Sequence, residues 1–86
     1  MIVTKQMVAE KIAAHLQHRI SLPELVDWAE NSMMDGEFDE KDTATISAVV
    51  ARLGVSDVRA FGLTWTDCEE LLAKLGFSAR VEIVAA

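Results

Sequence analysis

The chain has 86 residues, of which 51% are hydrophobic and 26% are charged. This length allows one domain, residues 1–86, and the composition excludes a disordered or low-complexity protein. The longest apolar runs, residues 48–51 and 83–86, are far shorter than the ~18 residues of a membrane span, and the first residues lack the pattern of a signal peptide. The one cysteine, Cys68, has no partner for an internal disulfide. We therefore expect a cytoplasmic protein with no membrane contact.

The negative charge is concentrated in one segment. The chain carries 14 acidic and eight basic residues, a net charge of −6. Residues 24–42 alone hold eight acids and one base, a net charge of −7. Nucleic-acid phosphates select Lys and Arg, so direct binding of nucleic acid is not expected. An acidic segment suits a basic protein partner or a cation.

Two helices are predicted in the first part of the chain. Thr4 is the expected N-cap of a helix over residues 5–18, which carries apolar residues at helical spacing. Ser21 and Glu24 form the pattern of a capping box and begin the second helix. We expect that helix to end just before Gly36, with the glycine in the left-handed conformation. Its predicted buried stripe consists of Leu22, Leu25, Val26, Ala29 and Met33.

Two further helices are predicted after the acidic segment. Asp39 is the expected cap of a helix over residues 40–53 that stops at Gly54, and Ser56 begins a short turn closed by Gly62. Thr64 is the expected cap of a last helix over residues 65–75. Its apolar stripe predicts a buried Cys68, and Trp65, about 70° from the centre of that stripe, is expected in the core.

The hydrophobic pattern changes after the last helix. From Phe77 to Val84 apolar and polar residues mostly alternate, which predicts a β-strand over residues 77–84. A lone strand leaves its backbone groups unpaired. It therefore pairs either with residues 1–3 or with another chain, which would make a homo-oligomer. The predicted fold is mostly α: a small bundle of four to five helices with one C-terminal β-strand.

The acidic segment also permits a calcium interpretation. When Gly36 is aligned with the invariant glycine of an EF-hand loop, several oxygen-bearing residues fall at ligand positions. Met33, however, stands where an oxygen ligand is required, and the longer bidentate Glu is replaced by an Asp. The other interpretation treats these acids as helix caps and solvated surface. The candidate calcium ligands are Asn31, Asp35, Asp39 and Asp42.

Catalytic and cofactor-binding motifs are missing from the sequence. His15 and His18 lie three residues apart on one helix, but no second pair completes a zinc site of four ligands. No glycine-rich phosphate loop and no hydrolase or zinc-protease motif is present. We therefore expect neither enzyme activity nor a cofactor.

A partner-binding patch is predicted on the second helix and the loop after it. Trp28 lies about 120° from the centre of the apolar stripe, and Met34 is off the stripe on the other side. Tryptophan anchors interfaces and methionine adapts to them. The alternative is that Trp28 packs against a neighbouring helix or loop. The predicted partner-binding residues are Asp27, Trp28, Glu30, Met34, Asp35, Glu37 and Asp39.

This short, acidic and mostly helical chain resembles the small immunity and antitoxin proteins of bacteria. The helical immunity proteins of nuclease bacteriocins are the nearest group. The resemblance rests on size, charge and helix layout over residues 12–77, and on the run Ile-Ser-Leu-Pro-Glu-Leu at residues 20–25, with acids after it. It implies an inhibitor that binds a basic protein through an acidic face. It assigns no individual functional residue.

Overall fold

The computed structural model describes residues 2–58, 62–80 and 83–85. The fold is mostly α, as predicted, with a short parallel sheet. No helix in the described ranges is long and apolar enough to cross a membrane. The described elements are strand β1 (Ile2–Val3), helices α1 (Lys5–Leu16) and α2 (Leu22–Asp35), strand β2 (Glu37–Phe38), a 3-10 turn (Glu40–Asp42), and helices α3 (Thr43–Gly54) and α4 (Trp65–Lys74).

Side-chain caps begin three of the helices where they were predicted. The Thr4 hydroxyl accepts a hydrogen bond from the backbone N–H three residues on, at 3.2 Å. The capping box of α2 is complete, because the Ser21 hydroxyl accepts the Glu24 N–H and the Glu24 carboxylate accepts the Ser21 N–H. A second capping box, not predicted, joins Thr64 to Asp67 at the start of α4. These caps satisfy backbone donors that the first turn leaves free.

The start of the third helix differs from the prediction. The Asp39 carboxylate accepts the Lys41 N–H at 3.2 Å and caps the 3-10 turn, and α3 begins later, at Thr43. The Thr43 hydroxyl donates to the Asp39 carbonyl at 2.9 Å. Gly54, the predicted stop, is the last residue of α3. The tighter turn arises because the Asp39 carboxylate accepts the backbone N–H two residues on, whereas the cap of an α-helix accepts the N–H three residues on.

The segment after α3 is held by one arginine. The Arg52 guanidinium donates to the Ser56 hydroxyl at 3.0 Å, to the Gly62 carbonyl at 2.9 Å and to the Asp67 carboxylate at 3.4 Å. The buried Ser56 hydroxyl donates back to the Arg52 carbonyl. Arg52 thereby ties the end of α3 to the start of α4. Residues 59–61 of the predicted turn lie outside the described ranges.

The sheet pairs the beginning of the chain with the loop after α2. β1 and β2 run parallel, with Ile2 opposite Glu37 and Val3 opposite Phe38. The prediction of an extended N-terminal segment is confirmed for residues 2–3. The prediction of a C-terminal strand over residues 77–84 is wrong for its described residues, which form no strand, and residues 81–82 lie outside the description. Alternation shows only that a chain has two different faces and does not supply a partner. Among the described residues the N-terminal segment pairs with β2, not with the C-terminal segment as predicted.

Gly36 is not left-handed, contrary to the prediction. Its backbone is extended, with φ −84° and ψ 153°. A Cβ at this position would lie 2.6 Å from the Ser32 carbonyl oxygen and 3.1 Å from Val3 Cγ2. The glycine is therefore required first because a Cβ would clash with the last turn of α2, and second because Val3 of β1 packs closely against this position.

The core contains residues from all four helices and β1. Cys68 is fully buried, as predicted, but Trp65 remains 39% exposed, so its predicted place in the core is wrong. Met33, expected in the stripe of α2, is 52% exposed, and Ser32 is buried instead. The Ser32 hydroxyl donates to the Trp28 carbonyl at 2.8 Å, which satisfies this polar group in the core. The buried core cluster comprises Val3, Val8, Ala9, Ile12, Leu25, Ala29, Ile46, Val49, Val50, Leu53, Cys68, Leu71, Leu72 and Leu75.

Candidate protein-binding surface

The exposed side of α2 brings together three of the predicted partner-binding residues. Asp27, Glu30 and Met34 are spaced by three and four residues, so they share one helical face. This face points away from the core, because the buried residues of α2 lie on its opposite side. Met34 is 73% exposed. Exposed acids continue beyond the helix: Asp35 is its last residue, and Glu37 lies in β2.

The carboxylates of this face have no cationic partner in the part of the chain that the structure describes. Its ion pairs join Lys5 to Asp42, at 3.6 Å, and Arg52 to Asp67, at 3.4 Å. Both pairs lie elsewhere in the fold. We define the acidic face as Asp27, Glu30, Met34, Asp35 and Glu37. Its negative charge is directed into solvent.

Two of the predicted residues lie apart from this exposed group. Asp39 is half-buried and its carboxylate caps the 3-10 turn. Trp28 is also half-buried and packs against the core cluster. The Lys11 ammonium lies 5.8 Å from the centre of the indole ring, in a cation–π arrangement. These contacts match the alternative interpretation, in which Trp28 packs against a neighbouring helix.

The exposed Met33 was missed by the sequence analysis. Its Sδ lies 3.9 Å from the place a Gly54 Cβ would occupy, so the side chain covers the end of α3. With Met34 it forms a pair of exposed thioethers at the end of α2. No local signal shows this exposure, because the helical angle of Met33 places it on the apolar stripe of α2.

A second surface, not predicted, is a groove between α1, α4 and residues 77–80. Its volume is about 670 Å³. Trp65 and Phe77, 39% and 41% exposed, contribute its aromatic rings. Trp65 is the first residue of α4, and helical angle alone does not show its exposure. The residues that line it include Ala9, Ala13, Leu16, Leu72, Ala79 and Arg80.

The four candidate calcium ligands have separate roles. Asn31 and Asp35 belong to α2, where residues 31–35 are helical and do not form the start of a cation loop. Asp39 caps the 3-10 turn, and Asp42 pairs with Lys5. Within the described ranges, no three His, Cys, Asp or Glu side chains are grouped to hold a metal ion. The calcium interpretation gains no support from this arrangement.

The cysteine and histidine side chains do not form a reactive pair. Burial, and to a lesser degree the negative charge of Asp67, raises the pKa of the Cys68 thiol to about 11. The thiol is therefore neutral near pH 7 and a poor nucleophile. His15 is half-buried in the last turn of α1, and His18 lies exposed in the following loop at φ 60°.

Comparisons with protein-family models, with curated proteins and with solved structures gave no match for this chain. The two surfaces are therefore interpreted from their own geometry and charge.

Proposed function

We propose that the protein is a small cytoplasmic module, without enzyme activity, that binds a basic protein through the acidic face. In this role it acts as an inhibitor of the immunity or antitoxin type. The proposal rests on one observation: four exposed carboxylates, without an ion pair among the described residues, lie along the exposed side of α2 and the segment after it, together with the exposed Met34. A row of negative charges beside an adaptable apolar side chain suits recognition of a basic surface.

The placement of these charges weakens the helix that carries them. Asp27 and Glu30 lie three residues apart on α2, where like charges repel. Asp35 lies at the C-terminal end of α2, the negative end of the helix dipole, and the last turn contains no basic residue. Residues that reduce the stability of their own element are typical of binding sites, where recognition opposes stability.

The proposed complex forms in two stages. The net charge of the acidic face attracts a basic partner and accelerates encounter. Contacts of Met33 and Met34 with apolar groups at the centre of the interface then slow dissociation. Trp28 lies apart from this surface, with the Lys11 ammonium over its indole, so the proposed complex does not depend on it.

The test uses two charge-reversed variants with the same net charge. Glu30→Lys with Asp35→Lys changes the acidic face, whereas Glu69→Lys with Glu70→Lys changes exposed acids of α4. Each tagged protein captures partners from the native cytoplasm at low salt. We expect the wild type and the α4 variant to retain the same basic protein and the acidic-face variant to lose it. Circular dichroism checks that both variants remain helical.

The captured partner is then purified for kinetics. We expect the acidic-face variant to associate about tenfold more slowly at low salt, because electrostatic attraction acts on the association rate. The difference should shrink in 1 M salt, where the Debye length falls to about 3 Å. Equal retention of the partner by both variants, or capture of no basic protein, would contradict the proposal.

A further inference from the structure

The last residue of α3 is a glycine that the fold does not require. Gly54 is helical and lacks the positive φ that favours glycine at Gly62 and Gly76. Space is also available, because the nearest atoms to an added Cβ would be Glu30 Cγ and Met33 Sδ, both at 3.9 Å. Alanine would therefore fit here and would favour the helix more than glycine does. The close approach of another molecule to the backbone explains a glycine at such a position.

Exposed apolar side chains lie near this glycine. The Sδ of the exposed Met33 is next to Gly54, and Val55, which follows Gly54 directly, is 37% exposed. Val58 is 47% exposed, and its N–H donates to the Val55 carbonyl at 3.1 Å, which places both valines in one turn after α3. We define the apolar notch as Met33, Gly54, Val55 and Val58. An apolar patch next to charged residues is typical of an interaction site.

Carboxylates from two elements lie beside the apolar notch. Glu30 of α2 has its Cγ next to Gly54, and its carboxylate belongs to the acidic face. Asp57 lies between the two valines in the chain and is exposed. Neither acid belongs to an ion pair of the described residues, and the nearby cation of α3, Arg52, is paired with Asp67. The charge beside the notch is therefore negative and is complementary to Lys or Arg on the molecule that covers it.

We propose that the apolar notch receives a basic amphipathic helix of the partner protein. An apolar side chain of that helix packs over Gly54 and contacts Met33 and Val55. Lys or Arg side chains on the same helix pair with Glu30 and Asp57. The inference rests on the proposed function, and it names the kind of partner segment that the acidic face and the notch recognise together.

A helix suits this surface better than an extended segment. The residues of the notch belong to helices and to the turn after α3, so they offer no strand edge to which an extended segment would add. A helix presents apolar and basic side chains three or four positions apart, on adjoining stripes of one face. That arrangement matches an apolar notch with carboxylates beside it.

The test uses two synthetic peptides of about 18 residues with the same composition of Leu and Lys. In one peptide the leucines form a single helical stripe, and in the other the order is scrambled so that no stripe exists. Isothermal titration calorimetry at low salt measures the binding of each peptide to the whole chain. We expect the amphipathic peptide to bind with a Kd of about 10–100 μM and the scrambled peptide at least about tenfold more weakly.

Substitutions at Gly54 separate the notch from the surrounding charge. Gly54→Leu should weaken binding of the amphipathic peptide about tenfold, because the new side chain takes the place of the partner's apolar residue. Ala48→Leu adds the same side chain at an exposed position about 120° around α3 and should change the affinity by less than about threefold. Gly54→Ala should weaken binding about threefold although alanine favours the helix, so a loss of stability does not explain that result.

The outcomes separate this inference from the proposed function. No binding of the amphipathic peptide, binding no tighter than that of the scrambled peptide, or equal binding by wild type, Gly54→Ala and Gly54→Leu would overturn the inference. The variant Glu30→Lys with Asp35→Lys tests the acidic face with the same peptide. If that variant loses the peptide while Gly54→Leu keeps it, the acidic face binds a basic partner and the notch does not receive it.

Discussion

Alanine at Gly36 and alanine at Gly54 should change stability in opposite directions. At Gly36 the backbone is extended, with φ −84°, so alanine adopts it without conformational strain. The added Cβ, however, would lie 2.6 Å from the Ser32 carbonyl oxygen and 3.1 Å from Val3 Cγ2. The first distance is too short for a contact with a fixed backbone atom. Either the end of α2 or β1 must move.

The magnitude follows from two opposing terms. Overpacking of this kind costs about 1–3 kcal/mol, and the reduced entropy of the unfolded chain returns about 0.4–1 kcal/mol. We expect Gly36→Ala to lower the free energy of unfolding by about 1–2 kcal/mol. For a domain of this size that lowers Tm by roughly 5–15 °C.

Gly54→Ala is the matched control. Gly54 is the last residue of α3, and the nearest atoms to its added Cβ would be Glu30 Cγ and Met33 Sδ, both at 3.9 Å. That is ordinary contact, and alanine is favoured over glycine in a helix by about 0.5–1 kcal/mol. Thermal unfolding followed by circular dichroism should show a lower Tm for Gly36→Ala and a higher one for Gly54→Ala. A Gly36→Ala variant with unchanged Tm would refute the close approach of β1 to α2.

Two further predictions concern the start of α4. Hydrogen bonding with the backbone N–H and with the side chain of Thr64 holds the pKa of the Asp67 carboxyl below its usual value of 3.8, and the charge of Arg52 lowers it further. The resulting stability is present above pH 4 and lost as the pH falls through the lowered pKa, so the urea midpoints of wild type and Asp67→Asn should differ at pH 6 and converge only at a pH below the lowered pKa of Asp67. Cys68, buried and with its pKa raised to about 11, should resist iodoacetamide at pH 8 and react once urea unfolds the protein. Complete labelling within minutes without urea would contradict the buried position of the thiol.

The elements that could be predicted depend on local interactions. The caps at Thr4, Ser21 and Thr64 were identified because a side chain and a backbone N–H within four residues decide them. The burial of Cys68 followed from a stripe of leucines on the same helix. The exposed carboxylates of α2 were likewise predictable, since they lie opposite its apolar residues.

The features that could not be predicted depend on distant parts of the chain. Gly36 was expected to be left-handed, but it is extended, with its Cα close both to the Ser32 carbonyl and to Val3, which lies far away in the sequence. The exposure of Trp65 depends on which parts of the chain pack against the start of α4, and its helical angle does not show this. The alternation after Phe77 indicates a chain with two different faces, and it does not show whether a pairing strand is present. Trp28 is covered by Lys11, which belongs to another helix. The apolar stripe of α2 does not reveal where that helix lies.

The parallel pairing of β1 with β2 has a consequence for the order of folding. Ile2 reaches Glu37 only after α1 and α2 are in place, because both helices lie between them in the sequence. Contacts across such a long loop form late, and a two-residue strand is among the first elements to open. Glu37 belongs both to this pair and to the acidic face. In the proposed complex, a partner that holds Glu37 therefore also stabilises the docked β1, and a detached β1 weakens the hold on the partner.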